Sequence, residues 1–232
     1  MSGTLYLISV PIGNAEDISL RAKRILGEVS LIACEDTRIM KRHLELWGVA
    51  SKARLTSLFE YNERQKVPEL IARLQEGIDV ASVSDAGSML ISDPGYILVR
   101  EAIRTSIPVQ VAPGPTALIS ALVLSGLPPD KFLFLGFPPK KEGVQYKFFE
   151  RFKAVGVTLI FYESPKRLLK TLTRIQPLFE GSEIAICREI TKKHEETMRG
   201  SFNDVLQQIS HRTILGEITV VISPLTKKGL TF

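Results

Sequence analysis

Residues 83–95 read Val83-Ser84-Asp85-Ala86-Gly87-Ser88-Met89-Leu90-Ile91-Ser92-Asp93-Pro94-Gly95 and hold the densest chemistry-bearing pattern in the chain. The apolar run at 78–83 precedes them and apolar residues recur at helical spacing over 96–105, so they link a buried strand to a helix. Such loops, at the carboxyl ends of strands in parallel sheets, line the crevice where small molecules bind. This loop offers Asp85, glycines and serines there. The second half of the loop also reads as a plain helix start, with Ser92 or Asp93 as cap, Pro94 at the first helical position and Gly95 following. The first half, 84–89, has no comparable local task. At 34–38, Cys34-Glu35-Asp36-Thr37-Arg38 places four polar residues between a strand and a basic helix, where Asp36 or Thr37 alone would serve as a cap. At 113–117, Pro113-Gly114-Pro115-Thr116-Ala117 leads into an apolar helix, and the unpaired N–H groups of its first turn suit a carboxylate or a ring nitrogen.

The elements that must position these groups follow from periodicity. Residues 5–10 form a strand ending at Pro11-Ile12-Gly13-Asn14, and 18–29 a helix; 31–34 is a strand, 39–47 a helix, 55–58 a weak strand, and 67–76 an amphipathic helix beyond the polar turn at Asn62. After the central loop and its helix come a strand at 109–111 and a helix at 117–124, apolar on every side and therefore expected to be buried. The second half continues with strands at 132–135, 158–162, 184–187 and 218–222 and helices at 165–175 and 202–209. Strands alternating with helices give an α/β fold in two parts, 1–112 and 113–232, with a cleft between them. Residues 227–232 read as a loose tail. Between Lys140 and Lys153, basic residues interleave with Tyr146, Phe148, Phe149 and Phe152; this is either a stacking surface for single-stranded RNA or an amphipathic helix that buries its aromatics, and the second reading is preferred.

With 232 residues, 44% hydrophobic and 24% charged, the composition is that of a globular protein with room for a large core. No run is long enough to span a membrane and the first residues lack the features of a signal peptide, so a cytoplasmic protein without membrane attachment is expected. A net charge of +5 permits a nucleic-acid partner without requiring one. Cys34 and Cys187 sit inside apolar runs and read as buried thiols; with His43, His194 and His211 scattered, no metal site is expected.

The motifs 10–14, 34–38, 84–87, 91–95, 113–117, Phe161-Tyr162-Glu163-Ser164, Arg188-Glu189-Ile190-Thr191-Lys192 and Gly216-Glu217 occur in an order and spacing that resembles the ribosomal-RNA-methylating branch of the tetrapyrrole methylase-like family, whose members are class III S-adenosylmethionine-dependent methyltransferases. The resemblance runs from near Leu5 to near Ile222. It implies two α/β domains of the tetrapyrrole methylase type with the donor, S-adenosylmethionine, in the interdomain cleft. It further implies a homodimer and 2′-O-methylation of a cytidine ribose in small-subunit (16S) ribosomal RNA, free or in the assembled small subunit. Carried over motif by motif, the donor residues are Ile12, Asp85, Ala86, Ser88, Thr116, Ala117, Tyr162 and Glu217. Asp85 could instead stabilise a turn, Tyr162 could be an ordinary sheet aromatic, and Glu217 could simply be solvated. For the reaction, Glu35 or Asp36 would accept or orient the hydroxyl proton and Arg38 would hold a phosphate, with Asn62 on the substrate side. Arg167, Arg188 and Lys192, with Glu189, are either RNA contacts or an ion-pair network. Two positions depart from the family's pattern: Ser88-Met89 stands where Thr-Pro is usual, and Leu215 where a basic residue precedes Gly-Glu. Alternatives are a methyltransferase of the same fold acting on a tetrapyrrole or another RNA, and a paralogue that binds donor or RNA without turnover.

Overall fold

The computed structural model describes residues 2–224, and the 227–232 tail reading lies outside them. The chain divides into two compact units, Met1–Thr116 and Ala117–Phe232.

In the first unit the order is β1 (Leu5–Ile8), α1 (Leu20–Glu28), β2 (Leu31–Cys34), α2 (Thr37–Leu46), β3 (Arg54–Ser57), α3 (Glu63–Gln75), β4 (Val80–Val83), α4 (Tyr96–Arg104) and β5 (Val109–Ala112). The five strands form one parallel sheet in the order β3-β2-β4-β1-β5. Because β2, β4 and β1 are covered on both faces they are apolar runs instead of alternating, broken only by the buried Ser82 of β4. One face packs Ile25, Leu26, Met40, Leu44 and Trp47 of α1 and α2, and the other packs Leu70, Leu74, Leu98 and Ala102 of α3 and α4. In the ladder Cys34 pairs with Val83, Val83 with Ile8, and Ile8 with Ala112, so four strands end at one level.

The second unit runs α5 (Ala117–Ser125), β6 (Phe132–Phe134), α6 (Glu142–Lys153), β7 (Thr158–Glu163), α7 (Pro165–Ile175), β8 (Glu183–Arg188), β9 (Glu196–Ser201), α8 (Phe202–Ser210) and β10 (Ile218–Ile222). Its sheet order is β6-β7-β10-β8-β9, with β6 and β7 parallel and the other pairs antiparallel. Phe149 of α6, Leu168 and Leu172 of α7 and Phe202 and Val205 of α8 share a core with Phe161 and Val220 of the sheet. Tyr146, Phe148 and Phe152 pack against that core, so the aromatics of α6 serve packing.

Three expectations need correction. The helix at 117–124 is not buried on every side: Leu118, Ala121 and Leu122 are buried, but Val123 is 75% exposed and Ile119 41%. An apolar composition gives no stripe from which to read the exposed side. The edge strand β9 was not expected; it buries only Met198 and otherwise carries polar residues, so it lacks an alternating signature. Lastly, neither Ser92 nor Asp93 caps α4, and Pro94 is not its first residue. The N-cap is Gly95, in the left-handed region at φ +117, and it makes no side-chain cap bond. The cap comes from α3: the buried Glu63 carboxylate accepts the N–H groups of Gly95 (3.1 Å), Ile97 (2.8 Å) and Leu98 (3.2 Å).

One carboxylate oxygen therefore satisfies three N–H groups at the start of α4 and fixes the rear of the 84–95 loop. Replacing Glu63 by Ala is expected to lower the unfolding free energy by roughly 3 kcal/mol. Glu63→Gln, whose amide oxygen can still accept, should lose less than half of that; urea titration of both variants against wild type measures the difference.

Candidate active site

The level strand ends of the first unit bring the loops after β1, β2, β4 and β5 side by side. The loop after β4 is laced to the one after β1 by a two-way backbone bridge, Val10 N–H to Gly87 O at 2.9 Å and Gly87 N–H to Val10 O at 3.1 Å. Gly87 has φ +74, and a Cβ there would lie 3.3 Å from Ile12 Cγ2. Next to it, Ser88 Oγ lies 3.0 Å from Ser9 Oγ and donates to the Pro115 carbonyl at 3.5 Å. Ile12 and Ser88 are thus drawn together with the 113–116 turn that ends at Thr116, while Ala86 is exposed beside them. These bonds account for the Ser88-Met89 departure: the serine supplies the hydroxyl that joins the loops, and buried Met89 packs where a Cβ on Gly95 would meet its Cε at 2.8 Å.

The loops after β2 and β4 are tied through carboxylates. Asp85 N–H donates to Glu35 Oε1 at 3.2 Å, and the Asp36 N–H bonds the Asp85 carboxylate in return. Asp93 faces the same two carboxylates and the Ser84 hydroxyl. Burial raises the Glu35 and Asp85 carboxyls above the usual range, opposed for each by its backbone bond, with a neighbouring carboxylate adding to the rise. Asp93 goes further: burial, then Glu35, then Asp85 push it up to about 7, against the pull of Ser84. No lysine or arginine acts on these three carboxyls among the described residues. Asp85 is also drawn towards its charged form by His43 of α2, whose Nδ1 is buried without a partner, whose ring stacks on Trp47 at 4.8 Å, and whose own protonation is disfavoured by burial against the attraction of Asp85. Sequence reasoning missed Asp93, because Asp-Pro-Gly before a helix reads as a cap, and it missed Glu63, which sits inside an amphipathic helix.

Other expected substrate residues have local partners. Asp36 caps α2 through the Arg38 N–H (2.8 Å) and pairs with the same arginine's Nε (3.1 Å) and Nη2 (2.6 Å), which holds its carboxyl well below the usual range. Arg38 is otherwise open to solvent, 84% exposed. Asn62 accepts from Phe59 N–H and donates to the Ser57 carbonyl, closing the turn after β3.

In the second unit, β7 register sets Tyr162 opposite Thr219 and Glu163 opposite Ile218, which in turn pairs with Arg188. Tyr162, Arg188 and Glu217 therefore lie at one end of the adjacent strands β7, β10 and β8. Tyr162 packs edge-on against Phe134 and tilted against Phe137. Glu189 Oε1 accepts the Glu217 N–H (2.9 Å) and Lys192 Nζ (3.2 Å), and Lys192 also reaches Glu217 at 3.0 Å. Gly216 has φ +90, and a Cβ there would fall 2.5 Å from Glu189. Arg188 bonds Glu196 and the Leu215 carbonyl, leaving the Leu215 side chain exposed. Arg167 stands in a separate network around Glu163, whose fully buried carboxylate also takes the Thr171 hydroxyl and the Ser164 N–H. Ala117 opens α5.

A family model described as Tetrapyrrole (Corrin/Porphyrin) Methylases matches residues 4–206. The chain is 45% identical over 221 residues to the Ribosomal RNA small subunit methyltransferase I of Hydrogenobaculum sp. (strain Y04AAS1), covering 94% of this chain and 95% of that one. It is 42% identical over 221 residues to the protein of the same name from Thermotoga maritima, covering 95% and 98%. Among solved structures, the uroporphyrin-III C-methyltransferase of Thermus thermophilus complexed with S-adenosyl homocysteine superimposes with a TM-score of 0.66 at 17% identity, over 96% of this chain and 98% of that one.

The crowded carboxyls make stability depend on pH. An aspartate in an unfolded chain binds its proton near pH ~4, whereas Asp93 in the folded chain does so up to about 7. Between those values the folded state holds the extra proton, so its stabilising contribution is full below pH ~4 and lost as pH rises through 7. Unfolding curves taken from pH 4 to 8 should show Asp93→Asn matching wild type at the acid end and exceeding its stability increasingly up to neutrality.

Proposed function

Since this chain belongs to the tetrapyrrole (corrin/porphyrin) methylase family, we propose that it transfers a methyl group from S-adenosylmethionine to the 2′-hydroxyl of a cytidine ribose in small-subunit ribosomal RNA. It is an S-adenosylmethionine-dependent ribosomal RNA methyltransferase; the nucleoside and the hydroxyl are the finer part of the reading. The observation that carries it is the set of three carboxyls without a cationic partner at the strand ends of the first unit.

That donor set fits the methyl donor. S-adenosylmethionine supplies, when bound, a methyl group on a positively charged sulfur, an excellent leaving group. A phosphate-bearing cofactor would be repelled by Glu35, Asp85 and Asp93, whereas a sulfonium or ammonium relieves their mutual repulsion. The residues proposed for the donor are Ile12, Asp85, Ala86, Ser88, Thr116, Ala117, Tyr162 and Glu217. Asp85 is held by bonds to Glu35 and Asp36 at both its backbone and its carboxylate, so it needs little reorganisation to receive a cation or a ribose hydroxyl. Glu35 acts through Asp85, which it positions, and Asp36 through α2 and Arg38. Arg38, exposed and anchored, is the group proposed to meet an RNA phosphate, with Asn62, Arg167, Arg188 and Lys192 as further candidates on the substrate side.

No helix of the described residues is long and apolar enough to cross a membrane. A homodimeric state is part of the proposal; the exposed Ile119 and Val123, one turn apart on α5, support it by offering apolar surface to a second copy.

Asp85→Asn should weaken S-adenosylmethionine binding by about 10-fold or more, the worth of one charge-assisted bond, with the melting temperature held; calorimetric titration reads it. Mapping 2′-O-methylation in small-subunit RNA from cells with and without the gene should show one cytidine losing its mark. A map unchanged by deletion would sink the assignment.

A further inference from the structure

Resting on the ribosomal RNA methyltransferase reading, we propose that the 136–141 loop is a landing site for unpaired RNA, with a base stacked on Phe137 and flanking phosphates held by Lys140 and Lys141.

The basic and aromatic stretch at 140–153 drew attention as a stacking surface, and the structure turns its aromatics inward. The exposed ring lies just ahead of it. Phe137 is 59% exposed, although the next residue, Pro138, is buried. One side of its ring leans on Tyr162, with centroids 5.5 Å apart and planes at 59°. Phenylalanine has no polar group to satisfy in water, so holding it outward forgoes the gain from burial.

The chain is nonetheless fixed in that position from both sides. Before Phe137, the loop continues the β6–β7 ladder: Leu135 N–H donates to the Ile160 carbonyl at 2.8 Å and Tyr162 N–H to the Gly136 carbonyl at 2.9 Å. After it, the two proline carbonyls are gripped by side chains of α6 and α7. Arg167 donates to Pro138 O at 3.4 Å and Gln145 to Pro139 O at 3.0 Å. Those grips belong to a buried polar network. Gln145 also donates to the Thr171 hydroxyl (3.3 Å), Thr171 to Glu163 (2.7 Å), Arg167 to Glu163 (2.7 Å), and Arg174 to the Gln145 carbonyl oxygen. A residue before proline is confined to extended backbone, and each proline has φ fixed by its ring. The loop therefore presents Phe137 already ordered, which lowers the entropy lost when a partner docks.

Charge identifies the partner. Lys140 and Lys141 are exposed, and neither makes an ion pair among the described residues. The adjacent carboxylate, Glu142, is taken by Arg174 and leaves them unneutralised. Both lysines follow Phe137 within four residues, a chain span of at most about 14 Å. An aromatic face beside free cations is the pairing that holds single-stranded nucleic acid: the base stacks and the phosphates are drawn to the ammonium groups. The methyl donor carries no phosphate, so the lysines would add nothing for its adenine. Stacking tolerates any base, and the site thus places the strand without reading its sequence.

The test measures methylation by the full chain at saturating S-adenosylmethionine, with small ribosomal subunits lacking the modification as substrate. Phe137→Ala should raise KM for the subunit about 10-fold, the worth of one stacked base, with kcat within about twofold of wild type. Phe137→Leu, which keeps apolar bulk against Tyr162 but has no aromatic face, should behave like the alanine variant, and Phe137→Trp should restore KM. In equilibrium binding to the subunit, Lys140→Gln with Lys141→Gln should lower the slope of log affinity against log salt by about 1.4, two single-strand phosphate contacts; Phe137→Ala should leave the slope unchanged. Calorimetry should find donor affinity retained in every variant. A wild-type KM in Phe137→Ala or Phe137→Leu, a salt slope unmoved by the lysine changes, or donor affinity lost with the ring overturns the proposal. A wild type that leaves the subunit unmethylated takes down the functional reading beneath it, whereas a methylating wild type matched by Phe137→Ala takes down the landing site alone.

Discussion

Negative charge held together without a counter-charge is the constraint on which the first unit depends. Parallel register ends β1, β2, β4 and β5 on one level, so whatever follows those strands must share a small space. Here three carboxyls share it, and each ionises less readily than it would in water. A lysine or arginine among them would remove the strain. Leaving them unpaired costs stability in the empty protein and makes affinity for positive charge the natural consequence.

Such a cluster persists only if its loops cannot relax away from it, and the polar bonds around it have that effect. Asp85 and the 34–38 turn exchange bonds in both directions, and Gly87 and Val10 do the same. Ser88 joins two loops through one hydroxyl, which explains why a serine can stand for a threonine there: the hydroxyl, not the methyl, makes the connection. Met89 in place of a proline gives up backbone rigidity, and its burial against Gly95 compensates by packing. The remaining fixed point, Glu63, is distant in sequence yet bonded to the first turn of α4.

That distance marks the boundary of what sequence could disclose. Buried strands such as 31–34 and 218–222 announce themselves as apolar runs between breakers, and α7 as a periodic segment after Ser-Pro; all three lie where periodicity puts them. The Asp85 loop was legible because small and acidic residues follow a strand. The cap of α4 was not legible, because Asp93 fits that task locally and only the third dimension shows that Glu63 has taken it. β9 was hidden because an edge strand facing solvent needs neither apolar residues nor alternation. The exposed side of α5 was hidden for the opposite reason, since no polar residue marks it.

The second unit handles charge in the reverse way, and this bears on which of its basic residues can meet RNA. Five of its carboxylates are ion-paired: Glu163 with Arg167, Glu189 and Glu217 with Lys192, Glu196 with Arg188 and Arg212, and Glu142 with Arg174. A phosphate that recruited Arg167 would strand Glu163, whose side chain is 0% exposed, as an uncompensated buried charge; losing one partner of such a pair typically costs about 3–5 kcal/mol. Arg167 is therefore bound to structure first. Lys192 is different, because Glu217 is 74% exposed and water can take over its solvation when a phosphate draws the lysine away. Arg38 is freer still, with its partner Asp36 also capping α2 and so stabilised without it. The ease with which these cations could leave their carboxylates thus runs Arg38, then Lys192, then Arg188 with its largely buried guanidinium, and last Arg167. Sequence set Arg38 apart in the 34–38 cluster and left Arg167, Arg188 and Lys192 undivided between RNA contact and ion pairing; the burial of their carboxylate partners separates those three.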